Sequence, residues 1–329
     1  MATKGVVMGL RTDLTEMFGI EHPIVLAPMG GVAGGVLAAA VSEEGGLGLI
    51  GSGDREWLDR ECGLAATRTD KPWGIGLLIW AVDRDIVLSV VERRPHAIVL
   101  SFGDPAPYAA MIRDAGIRLL VQVTSTDEAA RALDVGADVV IAQGGEAGGH
   151  CGARATLPFV PSVVDLAAGT PVLAAGGIAD GRGLAAALTL GAAGALIGTR
   201  FEATHEALIS AAEAKAIIAA RASDTERNRA LDIARGSPWP AEYPARTLRN
   251  AFLDRWHGRE EELAGDSVAL QEYRDAAARE DPDYAPVWAG EAVDLITGLE
   301  SAADLVGRIS RDAEQAILHA AQRCVVASE

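Results

Sequence analysis

Short hydrophobic runs recur between Ile24 and Ile197, and polar segments compatible with helices separate them. The runs are rich in leucine and β-branched residues, and they predict strands at Ile24–Ala27, Leu47–Ile50, Gly74–Leu78, Ala97–Leu100, Arg118–Val123, Val139–Ala142, Val172–Ala174 and Ala195–Ile197. Their starts lie roughly two dozen residues apart, the length that a βα unit needs to return a parallel strand to the same sheet. The pattern therefore predicts eight parallel strands, because hairpin strands would follow one another more closely.

Two of the connecting segments carry helix-start signals. Ser125 is followed three residues later by Glu128, which is the pattern of a capping box. Asp104 precedes Pro105, whose missing N–H costs nothing at the first position of a helix. These signals predict helices after the fifth and the fourth strand.

Eight alternating units most simply close into a (β/α)8 TIM barrel, although an open doubly wound sheet has the same local pattern. After the eighth predicted strand the βα repeat is no longer visible, and the chain becomes helical and highly charged. An amphipathic segment, Ala302–Leu318, comes last. The sequence thus predicts a barrel at 1–205, a mainly helical insertion at 206–287, and a C-terminal segment at 288–329 that packs back on the barrel.

Composition and charge narrow the class of protein. The chain has 329 residues, of which 49% are hydrophobic, enough to bury a substantial core. Its 46 acidic and 29 basic residues give a net charge of −17, which repels nucleic acid and anionic lipid. The segment Met1–Arg11 has no long apolar core, and three scattered cysteines offer no disulfide framework or metal cluster. We expect a cytoplasmic protein, monomer or homo-oligomer, that binds small molecules rather than nucleic acid, membranes or metals.

Glycines follow the last two predicted strands, at the rim that the strand ends of a barrel share. Gly176 and Gly177 follow the seventh strand, and Gly198 and Thr199 follow the eighth. In barrels these two loops commonly hold a phosphate through backbone N–H groups. Either pair alone could simply form a tight turn, whereas both together predict a phosphate-bearing cofactor. Arg200 would pair with that phosphate or with a carboxylate at the surface.

The loop after the sixth predicted strand is the longest at this rim and is rich in glycine. Gly148 and Gly149 would let the backbone approach a flat ligand and would place His150 beside it. An imidazole can accept or donate a proton near neutral pH, so His150 is the candidate catalytic residue, with a purely structural role as the alternative. Gln143 could hydrogen-bond a planar heterocycle or only the loop backbone.

Other residues of this loop and of two strand ends complete the predicted rim. Glu146 could be a second acid or base, but it is expected to cap a helix or order the loop, and Cys151 is expected to fill space beside the histidine. Ala27–Met29, with Pro28 between them, could lie against a flavin or form a turn with a core methionine. Gln122, on the fifth strand, points to the same rim or is an ordinary polar strand residue. The segment Gly46–Gly51 matches G-x-G-x-x-G but lies within the second strand, so it does not predict a dinucleotide site.

Taken together, these loops resemble those of the nitronate monooxygenase family, formerly called 2-nitropropane dioxygenases. The resemblance spans nearly the whole chain and rests above all on Ala27–Met29, Gln143–Gly144, Glu146–His150, Ala174–Ile178 and Gly198–Phe201. It implies an FMN-dependent barrel enzyme that oxidises alkyl nitronates with molecular oxygen to a carbonyl compound and nitrite. It also implies that His150 is the base beside the flavin, and that the phosphate is held by Gly176, Gly177, Gly198 and Thr199.

The chain differs from many relatives at two positions near the predicted flavin. Gly76 stands where relatives place an asparagine after the third strand, and Gln122 stands where some have a lysine. Loss of a cation near the ring would alter the potential of the flavin. The alternative function, on the same architecture, is an FMN-dependent NAD(P)H oxidoreductase that passes electrons to a quinone or an enoyl thioester.

Overall fold

Eight parallel strands form a nearly closed barrel in the computed structural model, which describes residues 9–279, 281 and 284–324. The barrel strands are β1 (Ile24–Leu26), β2 (Gly48–Ile50), β3 (Trp73–Leu78), β4 (Ala97–Ser101), β5 (Arg118–Val123), β6 (Val139–Gln143), β8 (Val172–Ala175) and β9 (Gly194–Ile197). Three further strands lie outside the barrel: β7 (Gly149–His150), β10 (Thr225–Asn228) and β11 (Ala245–Leu248). The barrel runs β1-β9-β8-β6-β5-β4-β3-β2. Leu26 N–H donates to the Leu47 carbonyl at 3.0 Å, which joins β1 to the segment leading into β2. The predicted barrel is therefore confirmed, and the open sheet is not.

Helices follow the barrel strands and continue after the last one. They are α1 (Asp13–Phe18), α2 (Gly35–Glu43), α3 (Arg55–Ala66), α4 (Arg84–Glu92), α5 (Ala106–Asp114), α6 (Thr126–Asp134), α7 (Thr156–Ala167), α8 (Gly181–Thr189), α9 (Thr199–Glu202), α10 (Ala211–Ala219), α11 (Ala230–Arg235), α12 (Ala251–Trp256), α13 (Glu260–Gly265), α14 (Ser267–Ala277) and α15 (Ala302–Cys324). Two 3-10 turns lie at Ala222–Asp224 and Glu291–Leu295. None of the helices in the described ranges is both long enough and apolar enough to cross a membrane.

The predicted helix starts are present, with one difference in detail. Asp104 Oδ1 accepts from the N–H of Ala106 at 3.0 Å, and Ser125 Oγ accepts from the N–H of Glu128 at 3.2 Å. The Glu128 carboxylate, however, accepts from the N–H and the hydroxyl of Thr124 instead of from the Ser125 N–H. Its other oxygen accepts from the Tyr243 hydroxyl at 2.8 Å, so a tertiary contact draws this side chain away from the capping box.

The segment after β9 contributes a small sheet that the sequence did not predict. β10, β11 and β7 pair antiparallel in the order β10-β11-β7, with Ala245 opposite His150. Helices α10–α14 make the rest of this segment mainly helical. The sheet ties the segment to the loop that carries His150. The division at 1–205, 206–287 and 288–329 remains a prediction, and its two ends, 1–8 and 325–329, lie outside the described residues.

The last helix, α15, packs against α8 and α2 on the outside of the barrel. Its inner face buries Leu305, Val306, Ile309 and Ala313, which are all 0% exposed. Gly181, the first residue of α8, allows the close approach: a Cβ there would lie 2.4 Å from the Ala313 nitrogen. The amphipathic pattern at the end of the chain thus marks a helix that covers the barrel.

Candidate active site

A cavity of about 330 Å³ opens at the carboxyl ends of the barrel strands. Every site residue selected from the sequence lines it: Ala27, Pro28, Met29, Gln122, Gln143, Gly148, Gly149, His150, Gly176, Gly177, Gly198 and Thr199. They meet because parallel strands deliver their following loops to one rim. The lining also includes Phe102 and Trp239, as well as Glu202, Arg235 and Trp288, which the sequence did not mark as site residues.

His150 lies in the wall of this cavity and is bonded to an acid from the segment after the barrel. Its Nε2 lies 2.9 Å from Asp232 Oδ2, and both side chains are less than 10% exposed. Burial lowers the pKa of His150; Asp232 raises it through its hydrogen bond and charge, and Arg235 lowers it. The imidazole is therefore neutral at neutral pH and can accept a proton.

Aromatic side chains cover the imidazole. The Trp239 ring stacks on His150 with centroids 3.4 Å apart and an 8° angle between the planes. The ring centroid of Trp288 lies 5.6 Å from that of His150, and Phe102 packs edge-on against Trp239 with ring centroids 5.1 Å apart. Phe102 has a φ of +61°, a left-handed conformation that costs energy for a non-glycine residue and that turns its ring to the rim. The aromatic rings of Trp239, Trp288 and Phe102 thus form an apolar wall of the site.

The glycine loops form the opposite wall. Gly176 and Gly177 have φ values of +95° and +73°, which favour glycine and leave backbone uncovered by side chains. Gly148 serves packing as well, because a Cβ there would lie 2.7 Å from the Gly290 nitrogen. The Gly290 N–H donates to Thr199 Oγ1 at 3.0 Å. Gly290 therefore contacts both the loop that carries Gly148 and the one that carries Thr199.

The side chain of Gln143 bonds the loop backbone through its nitrogen and leaves its oxygen available to a ligand. Its Nε2 donates to the His150 carbonyl at 3.1 Å, which orders the loop backbone. Its Oε1 is buried and has no hydrogen-bond partner among the described residues. A buried acceptor without a partner costs free energy, so this oxygen is available to a ligand that carries an N–H.

Three further residues lie where the structure gives them supporting roles. Glu146 accepts from the N–H of Thr156 at 2.9 Å and from its hydroxyl at 2.8 Å, which orders the loop as expected. Cys151 is fully buried, and burial raises the pKa of its thiol, so it is an inert filler. Arg200 forms an ion pair with Glu300 while being only 3% exposed. The pair with a carboxylate is present, but its expected place at the surface was wrong, because the Arg200 side chain is buried.

Gly76 has a packing reason in this chain. A Cβ at Gly76 would lie 2.3 Å from the Cβ of Pro28. The proline ring occupies the space that a larger side chain at this position of β3 would need. The departure from the asparagine of many relatives is therefore coupled to the conformation of the loop after β1.

Sequence reasoning missed Asp232 and Arg235, which both lie on α11. The pairing of Asp232 with His150 spans 82 residues, and no short motif marks it. One signal was available: the run Ala230–Ala234 is apolar except for this acid, which placed a carboxylate on a buried helix face. Arg235 is the one arginine among the described residues that line the cavity, and no lysine lines it.

Comparison with known proteins agrees with this geometry. The family model described as nitronate monooxygenase matches residues 11–85 and 80–312. The chain belongs to the nitronate monooxygenase family. A nitronate monooxygenase of Metarhizium robertsii is 36% identical over 91% of this chain and 92% of its own length. Family membership makes the chain a flavin-dependent oxidoreductase.

Other proteins that are similar to this chain have different names and activities. A (3aS,4S,5R,7aS)-5-hydroxy-7a-methyl-1-oxo-octahydro-1H-indene-4-carboxyl-CoA dehydrogenase of Mycobacterium tuberculosis is 42% identical over 61% of this chain, and the match spans 58% of that relative's length. Among solved structures, FabK from Thermotoga maritima matches with a TM-score of 0.83 and 31% identity, covering 94% of this chain and 98% of its own. The nitroalkane oxidase from Streptomyces ansochromogenes matches with a TM-score of 0.79 and 28% identity, covering 93% and 99%.

Proposed function

We propose that this member of the family oxidises alkyl nitronates with molecular oxygen at bound FMN. The observation that carries the proposal is the shared cavity, in which a neutral His150 and the cation Arg235 face the glycine loops after β8 and β9. A nitronate is the anion that forms when a nitroalkane loses a proton, so a base could form it from the neutral compound and a cation could bind it. A cytoplasmic location, predicted from the sequence, is part of the same proposal.

The residues present fit a flavin mononucleotide. The unpartnered Gln143 Oε1 can accept from a ring N–H, and Gly176 and Gly177 expose backbone where a phosphate could be held. Gly198 and Thr199 would complete the phosphate site, while Ala27–Met29, Gln122, Gly148 and Gly149 would lie along the ring and the ribityl chain. A cavity of about 330 Å³ lies within the usual range for small-molecule sites.

In this proposal the protein supplies the acid–base chemistry and the orientation. Bound FMN would supply the redox chemistry of the oxidation. His150 would accept the proton of a neutral nitroalkane, since burial keeps its imidazole uncharged. Arg235 lines the cavity 5.1 Å from the Trp288 ring and would attract the negative nitro oxygens. The rings of Phe102 and Trp239 would hold the alkyl group and exclude water.

A second candidate is the FMN-dependent NAD(P)H oxidoreductase that acts on a quinone or an enoyl thioester. The specific observation in its favour is the 42% identity to a dehydrogenase whose substrate is a CoA ester. Both candidates use the same cavity and cofactor, and they differ in which donor reduces the flavin.

Anaerobic stopped-flow reduction separates the two candidates. We expect ethyl nitronate to reduce the flavin of the purified protein and NADPH to do so only slowly. Rapid reduction by NADPH without any response to the nitronate would reverse the order of the candidates. Protein that is colourless after incubation with excess FMN would contradict both.

Replacement of the base tests the role of His150 directly. We expect His150→Asn to lower turnover of neutral nitroethane roughly 10²-fold or more, the range of a general base, while pre-ionised ethyl nitronate loses less. The measurement is the steady-state oxygen uptake of each variant with both substrates. Equal losses on both substrates would remove the role of base from His150.

A further inference from the structure

Asp232 is the one described side chain that hydrogen-bonds a nitrogen of the His150 ring. The two residues lie on different parts of the fold: His150 on β7 at the barrel rim and Asp232 on α11, beyond β9. Their atoms Nε2 and Oδ2 are 2.9 Å apart, with side-chain exposures of 7% and 9%.

The bond decides which ring nitrogen can act as the base. A carboxylate only accepts hydrogen bonds, so the neutral imidazole must carry its proton on Nε2 to make this contact. Nδ1 is then the atom with a free lone pair. The backbone that carries the ring is also held, because Ala245 of β11 pairs with His150 and Gln143 Nε2 donates to the His150 carbonyl.

The helix that carries Asp232 is itself anchored. Asn228 Oδ1 accepts from the N–H of Leu231 at 3.2 Å, and Ala230 and Leu231 are at most 1% exposed. Arg235, one turn later, places its Nη2 3.8 Å from Asp232 Oδ1, the oxygen that makes no hydrogen bond in the described chain. The charged groups that act on the imidazole are thus Asp232 and Arg235, both from α11, while the rings of Trp239 and Trp288 that cover it are uncharged.

We propose that Asp232 is a positioning residue that holds His150 in the tautomer with a protonated Nε2 and an unprotonated Nδ1 ready to take a proton from substrate. The transfer of a proton from substrate rests on the proposed function, whereas the tautomer of His150 does not. The segment after the barrel would then be part of the active site, because it supplies the partner that orients the catalytic ring. This division of labour, a base oriented by a third group, recurs in nucleophilic and acid–base sites on unrelated folds.

Nuclear magnetic resonance tests the tautomer without reference to turnover. In the FMN-loaded protein labelled with ¹⁵N-histidine, two-bond ¹H–¹⁵N correlations distinguish a protonated Nε2 from a protonated Nδ1, and loss of signals in His150→Gln assigns them. We expect a single Nε2–H tautomer in the wild type and a mixture of tautomers in Asp232→Asn. A wild-type ring protonated on Nδ1, or an unchanged tautomer in Asp232→Asn, would overturn the proposal.

Kinetics then test whether the tautomer matters for the reaction. Asp232→Asn should lower kcat/KM for neutral nitroethane by roughly 10-fold or more, and it should move the acidic limb of the pH profile to lower pH, because the group that raises the pKa of His150 is lost. Pre-ionised ethyl nitronate should change less than about threefold. In a His150→Asn background the same substitution should add nothing, whereas a purely structural role would lower both activities additively.

Two further variants guard against loss of folding. Asp232→Glu keeps the carboxylate and should restore part of the nitroethane activity. Asp254→Asn removes an exposed acid of the same segment, bonded to Arg249 at 2.7 Å, and should leave both substrates unaffected. If neither substrate reduces the flavin in any variant, the proposed function fails while the tautomer measurement still decides the role of Asp232.

Discussion

Glu202 is a carboxyl side chain that the fold buries in the wall of the cavity. It lies on the same face of α9 as Thr199, since residues three apart on a helix are neighbours, and it is only 5% exposed. Burial, with a smaller contribution from the charge of Glu213, raises the pKa of Glu202 to about 8. At neutral pH this side chain is therefore mostly protonated, and it offers a hydrogen-bond donor instead of a charge.

The burial of Glu202 predicts a pH-dependent loss of stability. Between the ordinary pKa of 4.5 and about 8, the folded chain keeps a proton that the unfolded chain releases. The free energy of unfolding should thus fall as pH rises through this window, by up to about 5 kcal/mol, and then level off. In Glu202→Gln this component is absent. Denaturant titrations of both proteins from pH 5 to 9 measure the difference curve.

The control for Glu202 is Glu56→Gln, which replaces an exposed carboxylate on α3. Its difference from the wild type should be small and independent of pH. A wild type whose unfolding free energy runs parallel to that of Glu202→Gln across the whole range would show that Glu202 ionises normally.

Among single residues, the sequence predicted the site residues that directly follow a barrel strand. It did not predict those that reach the site through tertiary contacts. His150 and the glycines of the rim follow directly after strands, so a strand prediction also places them. Asp232 reaches the site only because β10 and β11 fold back onto the His150 loop. No spacing of residues in the sequence predicts this pairing of β10 and β11 with the His150 loop. The stacking of Trp239 on His150 depends on the same pairing.

The same distinction holds for whole elements. Barrel strands such as β4 are short hydrophobic runs buried on both faces, and that pattern is visible in the sequence. β10 has the sequence Thr-Glu-Arg-Asn and β7 is two residues long with a glycine, so neither has a hydrophobic pattern to detect. Their pairing is decided by partners that lie far away in the chain.

The segment between β6 and α7 is ordered in part by a clasp that Glu146 forms. Glu146 joins the loop to the start of α7 through the N–H and hydroxyl of Thr156, and the loop carries Gly148 and Gly149 into the cavity. We expect Glu146→Ala to weaken FMN binding by about tenfold, because removing about 1–2 kcal/mol of hydrogen bonding lets the loop move. Quenching of FMN fluorescence measures the Kd.

The matched control for the clasp is Glu262→Ala, which removes an exposed carboxylate paired with Arg259. Exposed pairs contribute little, so its FMN affinity should equal that of the wild type. An unchanged Kd in Glu146→Ala would mean that the loop is held without the clasp. A loss of thermal stability with no change in Kd would assign Glu146 to folding alone.

For the whole molecule, the barrel could be predicted because its βα units repeat. The way in which the other segments pack around the barrel could not. The eight runs and their spacing specify the strands and their parallel direction. The amphipathic pattern of Ala302–Leu318 predicted a packed helix, but not that it would lie on α8 and α2, nor that Arg200 would be buried opposite Glu300. Those contacts depend on shape, which a pattern of hydrophobic positions does not describe.

The docking of α15 on the barrel can be tested with two glycines of opposite expected effect. Gly181→Ala would place a Cβ 2.4 Å from the Ala313 nitrogen and 2.4 Å from Asp312 Cβ, so α15 must shift, and we expect a loss of about 2 kcal/mol in the free energy of unfolding. Gly63→Ala, within α3, meets no atom within 4 Å and should gain about 0.5–1 kcal/mol. Denaturant unfolding measures both. Equal stabilisation by the two substitutions would mean that α15 does not press on the start of α8, since only that contact distinguishes one added methyl group from the other.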